Sequence, residues 1–200
     1  MTRKLFEYGG WIAGFVLIVF GAAAIYMGVD GRSTVRDSLK QEQIFFGAID
    51  DPAVAANASQ WAEEQVATGS QARAFAKIMR EHALEASGGL TYAQMGRFTS
   101  ADDAKNVAGT NDENAALKDE QGNPVPNGAR NTWVTETALS TALNVSYMAE
   151  QLALFGIIVG IALLLTGIGF LVLAIGGALQ HTTASVPSFL RRKPTAAATS

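Results

Sequence analysis

The chain has 200 residues, a formal net charge of −3 and no cysteine. The lack of cysteine excludes disulfides and a thiol nucleophile, and the acidic balance argues against nucleic acid as a partner. Hydrophobic residues make up 48% of the chain, and two long uncharged runs lie near its ends. These runs indicate a membrane protein.

The first uncharged run, residues 8–29, predicts a transmembrane helix. A helix needs about 20 apolar residues to cross a hydrocarbon core of about 30 Å. Tyr8 and Trp11 at one end and Tyr26 at the other suit the two membrane interfaces. A basic start followed by Ala22–Ala24 would also fit a cleaved signal peptide. Because the apolar run continues beyond those alanines, we expect an uncleaved anchor.

A basic stripe follows the first run, on a helix that we expect to continue the span. Arg32, Arg36 and Lys40 recur at steps of four, which places them on one helix face. Such a stripe can contact anionic lipid headgroups, or it can be a solvated helix face. The interleaved Asp37 and Glu42 favour the solvated face.

Two further helices are predicted to form a hairpin with an alanine-rich seam. Asp51-Pro52 is a helix start, with an N-cap acceptor followed by proline at the first helical position. We expect this helix to stop near Gly69 and to carry Trp61 on its apolar face. The next helix is predicted over residues 70–87, with Ser70 as its cap and Phe75 in its apolar stripe. The dipeptide Gly88-Gly89 should end it.

A polar insert over residues 99–131 is predicted to be a flexible, exposed loop with partial order. The stretch DEQGNPVPNG is dense in turn residues. An alternative is the tip of a small hairpin, with residues 115–118 facing Val125.

A single long helix is predicted from about Thr132 to Leu179. It carries Trp133 near its start and enters the second uncharged run, residues 151–180, which we interpret as the second transmembrane helix. The hairpin should pack on its outer part.

The tails set the expected topology. Residues 1–7 and 181–200 hold five of the fifteen basic residues but only one of the eighteen acidic ones. Basic flanks stay on the cytoplasmic side. The predicted fold class is therefore mainly α, with two transmembrane helices, both termini in the cytoplasm, and an extracytoplasmic helical domain, residues 30–150, inserted between them.

No catalytic, cofactor or metal site is predicted. The best metal candidate is Glu81, His82 and Glu85, which can converge on a helix, but it lacks the second histidine of such motifs. His181, the other histidine, should lie across the membrane. The chain has no G-x-S-x-G and no glycine-rich nucleotide motif. An enzyme using these three residues is kept as the second alternative function.

Small residues in the spans predict close helix packing. Gly10 and Gly14 are four apart, as are Gly156 and Gly160, a spacing that lets helices approach closely in lipid. The contact could join the two spans to each other, to a partner subunit or to a second copy.

The chain resembles a family of two-span membrane proteins of unknown function from high-GC Gram-positive bacteria (actinobacteria). The similarity covers residues 28–170 and rests on VRDSLKQEQI and on GSQARAFAKIMREHALEASGGLTYAQMGRF. Some members of that family are described as aromatic ring-opening dioxygenases. The resemblance implies a bacterial plasma membrane protein with two spans, and it transfers no active-site residue.

The expected function is that of a non-catalytic accessory or scaffolding subunit of a membrane or cell-envelope complex, without a cofactor and in contact with the lipid bilayer. The first alternative is a binding or sensing module. It would hold a small ligand between the hairpin residues Trp61 and Phe75 and the helix that carries Trp133.

Overall fold

The computed structural model describes residues 2–176, with side chains from residue 8 onward. The structure is mainly helical and contains two long apolar helices, as the sequence predicts. In chain order the helices are α1 (Thr2–Gln41), α2 (Pro52–Ala58), α3 (Gly69–Ala86) and α4 (Gly128–Ile175). By length and composition, α1 and α4 could each cross a membrane.

α1 is continuous through the end of the first apolar run and through the basic stripe. It ends at Gln41, and Gln43 then has a positive φ of 52°. That conformation is incompatible with helix and turns the chain away.

α2 is much shorter than predicted. Asp51 caps it as expected, because its carboxylate accepts from the N–H of Ala53 at 2.8 Å. The helix ends at Ala58, however, and a 3₁₀ turn covers Ser59–Trp61. The expected end near Gly69 is wrong because residues 64–66 pair with residues 44–46: the N–H of Phe46 donates to Glu64, and that of Val66 to Ile44, both at 2.9 Å.

α3 begins one residue earlier than predicted. The hydroxyl of Thr68, rather than that of Ser70, accepts from the N–H of Gln71 at 3.3 Å. The predicted end is confirmed, because Gly88 and Gly89 have φ of 61° and 82°, values that glycine adopts without strain.

The polar insert contains the hairpin that the sequence offered as an alternative. Val125 N–H donates to Leu117 at 2.8 Å, and Leu117 N–H donates to Thr99, also at 2.8 Å. Isolated bridges join Phe98 to Thr110 and Ser100 to Ala116. These bridges are isolated and form no strand within residues 99–127, which agrees with the expected exposed loop with partial order; its flexibility stays a prediction.

α4 begins at Gly128, four residues before the predicted start, because the side chain of Asn127 accepts from the N–H of Ala129 at 3.1 Å. The predicted end of the second span (177–180), His181 and the basic tail (181–200) lie outside the described residues.

The chain divides into two compact units, Met1–Ala23 with Val159–Ser200, and Ala24–Ile158. The second unit has a hydrophobic core formed by the end of α1, by α2 and α3, and by α4. Its buried members include Leu39, Phe46, Val54, Val66, Ala72, Ile78 and Leu143.

Candidate functional site

Glycine brings α1 and α4 into backbone contact within the first unit. A Cβ atom at Gly14 would lie 2.9 Å from the carbonyl oxygen of Gly167, and one at Gly21 would lie 2.7 Å from that of Gly160. Real Cβ contacts are not this short, so a larger residue would force the helices apart.

The second unit contains an equivalent contact. A Cβ at Gly28 would lie 2.6 Å from the carbonyl oxygen of Ala153. Gly156, which the sequence singles out, is less crowded, because its Cβ would stand 3.8 Å from the oxygen of Ala24. Gly10 is buried.

The close contacts recur every seven residues rather than every four. Gly14, Gly21 and Gly28 follow this spacing in α1, and Ala153, Gly160 and Gly167 follow it in α4. Of the four glycines in the sequence prediction, Gly14 and Gly160 lie at these contacts. A seven-residue period is typical of two helices that pack side by side.

A buried carboxylate ties three helices of the second unit together. Glu150 Oε1 accepts from Arg32 Nε at 2.9 Å and from Arg36 Nε at 2.8 Å. Its other oxygen, Oε2, accepts from the backbone N–H of Gly69 at the start of α3. The side chain of Glu150 is 7% exposed, so this acid on α4 fixes α1 and α3 at one point.

The environment keeps Glu150 ionised. Desolvation by burial raises its pKa, but the hydrogen bonds from Arg32, from the Gly69 N–H and from Arg36 outweigh that effect. The pKa of Glu150 therefore lies below its ordinary value. A cavity of about 230 Å³ adjoins this cluster, lined by both arginines, Thr68, Ser70 and Leu154.

The aromatic residues that the sequence singles out do not form one site. The ring of Phe46 stacks on Trp61 at 6.0 Å between centroids and meets the edge of Phe75 at 5.6 Å. These three rings belong to the core of the second unit or pack against it. Trp133 lies apart from them: it is buried, and its Nε1 donates to the carbonyl of Leu90 at 2.8 Å.

An apolar cavity nevertheless adjoins Phe75. It has a volume of about 660 Å³ and lies between the end of α1, α3 and α4. Its walls include Leu39, Ile44, Phe75, Met79, Leu139 and Leu143. Neither Trp61 nor Trp133 is part of this lining, so this cavity is not the site that the sequence hypothesis places between those residues and Phe75.

The candidate metal ligands Glu81 and His82 contact different residues. His82 Nε2 lies 3.1 Å from Asp51 Oδ2, and Glu81 accepts from the side-chain amide of Asn57 at 2.8 Å. The His82 side chain is 49% exposed. Among the residues that the structure describes, no group of three His, Asp or Glu side chains is placed to hold a metal ion.

Glu150 was missed by reasoning from the sequence, although a signal for it exists. In α4 the residues Leu143, Glu150, Ile157, Leu164 and Leu171 recur at steps of seven. The last three pack against Gly28, Gly21 and Gly14. An acid at a position that otherwise holds Leu or Ile indicates a buried charge with a partner on the facing helix.

Comparisons of the chain with protein-family models, with curated proteins and with solved structures find no match. The resemblance to the actinobacterial family therefore stays a prediction.

Proposed function

We propose that the chain is a two-span plasma membrane protein that acts as a non-catalytic accessory or scaffolding subunit. The membrane part of the proposal is supported by the side chains of the first unit. Phe15, Phe20 and Leu165 are 63–65% exposed, whereas Gly14 and Gly21 are buried. Small residues inside and large apolar residues outside suit helices that pack in lipid, and would be unfavourable in water.

The observation that carries the accessory role is an outward, mostly apolar stripe on α4 that lies N-terminal to the second apolar run except for its last member. Its members recur at steps of three and four, and they are exposed. They are Val134, Ala138, Thr141, Val145, Met148 and Leu152. Met148 is 67% and Val145 57% exposed. Such a stripe suits contact with a helix of a partner membrane protein, because an apolar helix face outside the lipid is normally shielded from water by another protein surface.

The topology that we propose is the one expected from the basic residues of the two tails. Both termini lie in the cytoplasm, and residues 30–150 lie on the extracytoplasmic side. The bacterial plasma membrane as location rests on the resemblance to the two-span family.

Co-purification in mild detergent tests the accessory role. We expect a stoichiometric membrane partner with the wild-type chain, and its loss from the double variant Val145→Ser/Met148→Ser. The matched control is Asn131→Ser/Thr135→Ser, two exposed positions on another face of α4, which should keep the partner. Purification of the wild-type chain without a partner would contradict the proposal.

A second candidate function is the binding of a small apolar ligand, favoured by the cavity beside Phe75. Its volume of about 660 Å³ falls in the range of small-molecule sites, and its lining is mostly apolar with a few polar groups, among them Ser38, Glu42 and Ser146. This arrangement suits an apolar molecule with one polar end.

A cavity-filling variant tests the ligand role. Ala142 lines the cavity, and Ala142→Trp should abolish the fluorescence increase of 1-aminoanthracene added to the chain in nanodiscs. Ala138→Trp, the same change one turn earlier on the outward stripe, should leave the signal intact. Equal signals from both variants and from empty nanodiscs would exclude a ligand site there.

A further inference from the structure

We propose that the cavity beside Glu150 binds the phosphate of an anionic phospholipid headgroup through the guanidinium groups of Arg32 and Arg36. This inference rests on the proposed insertion of α1 and α4 into the membrane. It gives the basic stripe of α1 a defined ligand, and it separates Arg32 and Arg36 from Lys40, which does not line the cavity.

Glu150 holds the two guanidinium groups in place and leaves other N–H donors of each group for a ligand. In the described residues, each donates to Glu150 only through its Nε. Their terminal amino groups form the planar fork that binds phosphate oxygens in pairs. The two arginine side chains are 41% and 36% exposed, so a ligand entering the cavity can reach them.

The charges of the cluster favour an anion. Glu150 neutralises only one of the two arginines, and its lowered pKa keeps its own charge constant near neutral pH. One cationic charge is therefore left over beside a cavity of about 230 Å³. A phosphodiester carries one negative charge and would neutralise this remaining positive charge. The exposed hydroxyl of Ser70, which also lines the cavity, adds a neutral donor.

The position along α1 selects a lipid as the source of the phosphate. Arg32 and Arg36 follow the predicted end of the first span, residue 29, by about 5 and about 10 Å at the helical rise of 1.5 Å per residue. The headgroup layer of a bilayer is about 5–8 Å thick on each side. Arg32 lies within this distance, and Arg36, one turn farther out, contacts the same carboxylate oxygen as Arg32. Leu154, on the apolar run of α4, lines the same cavity and would meet the start of an acyl chain.

Charge-matched variants of the full chain test this site. Phosphatidylglycerol is titrated into the purified chain in neutral detergent, and binding is read by native mass spectrometry, with phosphatidylcholine as the neutral comparison. We expect Arg32→Gln/Arg36→Gln to bind phosphatidylglycerol about 30-fold more weakly. Lys40→Gln/Lys77→Gln removes the same charge from exposed positions and should change binding less than about threefold.

Two further variants keep the test valid if the arginine double variant does not fold. The triple variant Arg32→Gln/Arg36→Gln/Glu150→Gln leaves no uncompensated buried charge, and it should fold and fail to bind. Glu150→Gln alone frees both arginines and should bind the lipid more tightly than wild type.

Two outcomes would overturn the proposed lipid site, and a third would overturn the proposed membrane protein on which it rests. If both charge-matched double variants lost the same affinity for phosphatidylglycerol, the effect would be a general attraction between positive charge and anionic lipid, and not a site. Displacement of the lipid by inorganic phosphate at an equal concentration would assign the cavity to a free anion. Release of the chain from membranes by alkaline carbonate would instead refute the proposed membrane protein itself, and would be seen without any lipid titration.

Discussion

The indole of Trp133 donates to the carbonyl of Leu90 at 2.8 Å and to the hydroxyl of Ser87 at 3.1 Å. The start of α4 is thereby joined to the turn that ends α3, and Arg80 lies 4.7 Å from the centre of the indole ring. Because Trp133 is buried, water cannot replace the indole N–H, and the Leu90 carbonyl would keep only the Ser87 hydroxyl as a donor, at 2.6 Å.

Trp133→Phe should therefore destabilise the second unit by about 1–3 kcal/mol, through the lost hydrogen bonds and the space left by the indole. Thermal unfolding in detergent measures this loss. Trp11→Phe is the matched control, since Trp11 is 43% exposed in the first unit, and it should leave the unfolding temperature unchanged. Equal effects of both variants would contradict the anchoring role of Trp133.

Gly21→Leu should separate α1 from α4, because even a Cβ there would lie 2.7 Å from the oxygen of Gly160. Gly169→Leu provides the control, since no atom lies within 4 Å of a Cβ at that position. We expect a lower unfolding temperature and faster proteolysis for the first variant alone. Wild-type behaviour of Gly21→Leu would show that the helices do not pack along this seam.

Acid should weaken the second unit through Glu150. Its folded-state pKa lies below the ordinary value of 4.5 that the unfolded chain would have. The stabilisation by the ionised carboxylate is thus complete above that pH and is lost as the pH falls through the folded pKa.

Glu150→Gln should lower the free energy of unfolding by about 2 kcal/mol at pH 7, and this difference from wild type should shrink at pH 3. Unfolding temperatures at the two pH values give the comparison. Glu120→Gln, at an exposed position of the insert, should match wild type at both. A difference between Glu150→Gln and wild type that is constant with pH would exclude the linkage.

The proposed topology can be read from single cysteines, because the natural chain has none. Asn123→Cys, in the insert, should react with a membrane-impermeant maleimide in intact cells. Ser188→Cys, in the C-terminal tail, should react only after the membrane is opened. The reverse pattern would invert the topology, and labelling of both sites in intact cells would contradict two spans.

The long helices and the site differ in how far the sequence predicts them. Uncharged runs of span length predict most of α1 and α4, and Gly88-Gly89 predicts the end of α3, because these signals are local. The early end of α2 depends on Phe46 pairing with Glu64, a contact between distant residues that no local pattern encodes. The glycine pairs four residues apart predict a close contact between helices, whereas the observed contacts recur every seven residues. Gly14 and Gly160 belong to both patterns.

The position of Glu150 in the chain also sets an order of events during synthesis. Arg32 is made 118 residues before its acid, which at roughly 5–20 residues per second is a wait of roughly 6–24 s. During that time both arginines and the start of α3 lack their common carboxylate. The second unit can therefore close only when α4 has left the ribosome, and a chain that stalls before residue 150 should remain open to proteases.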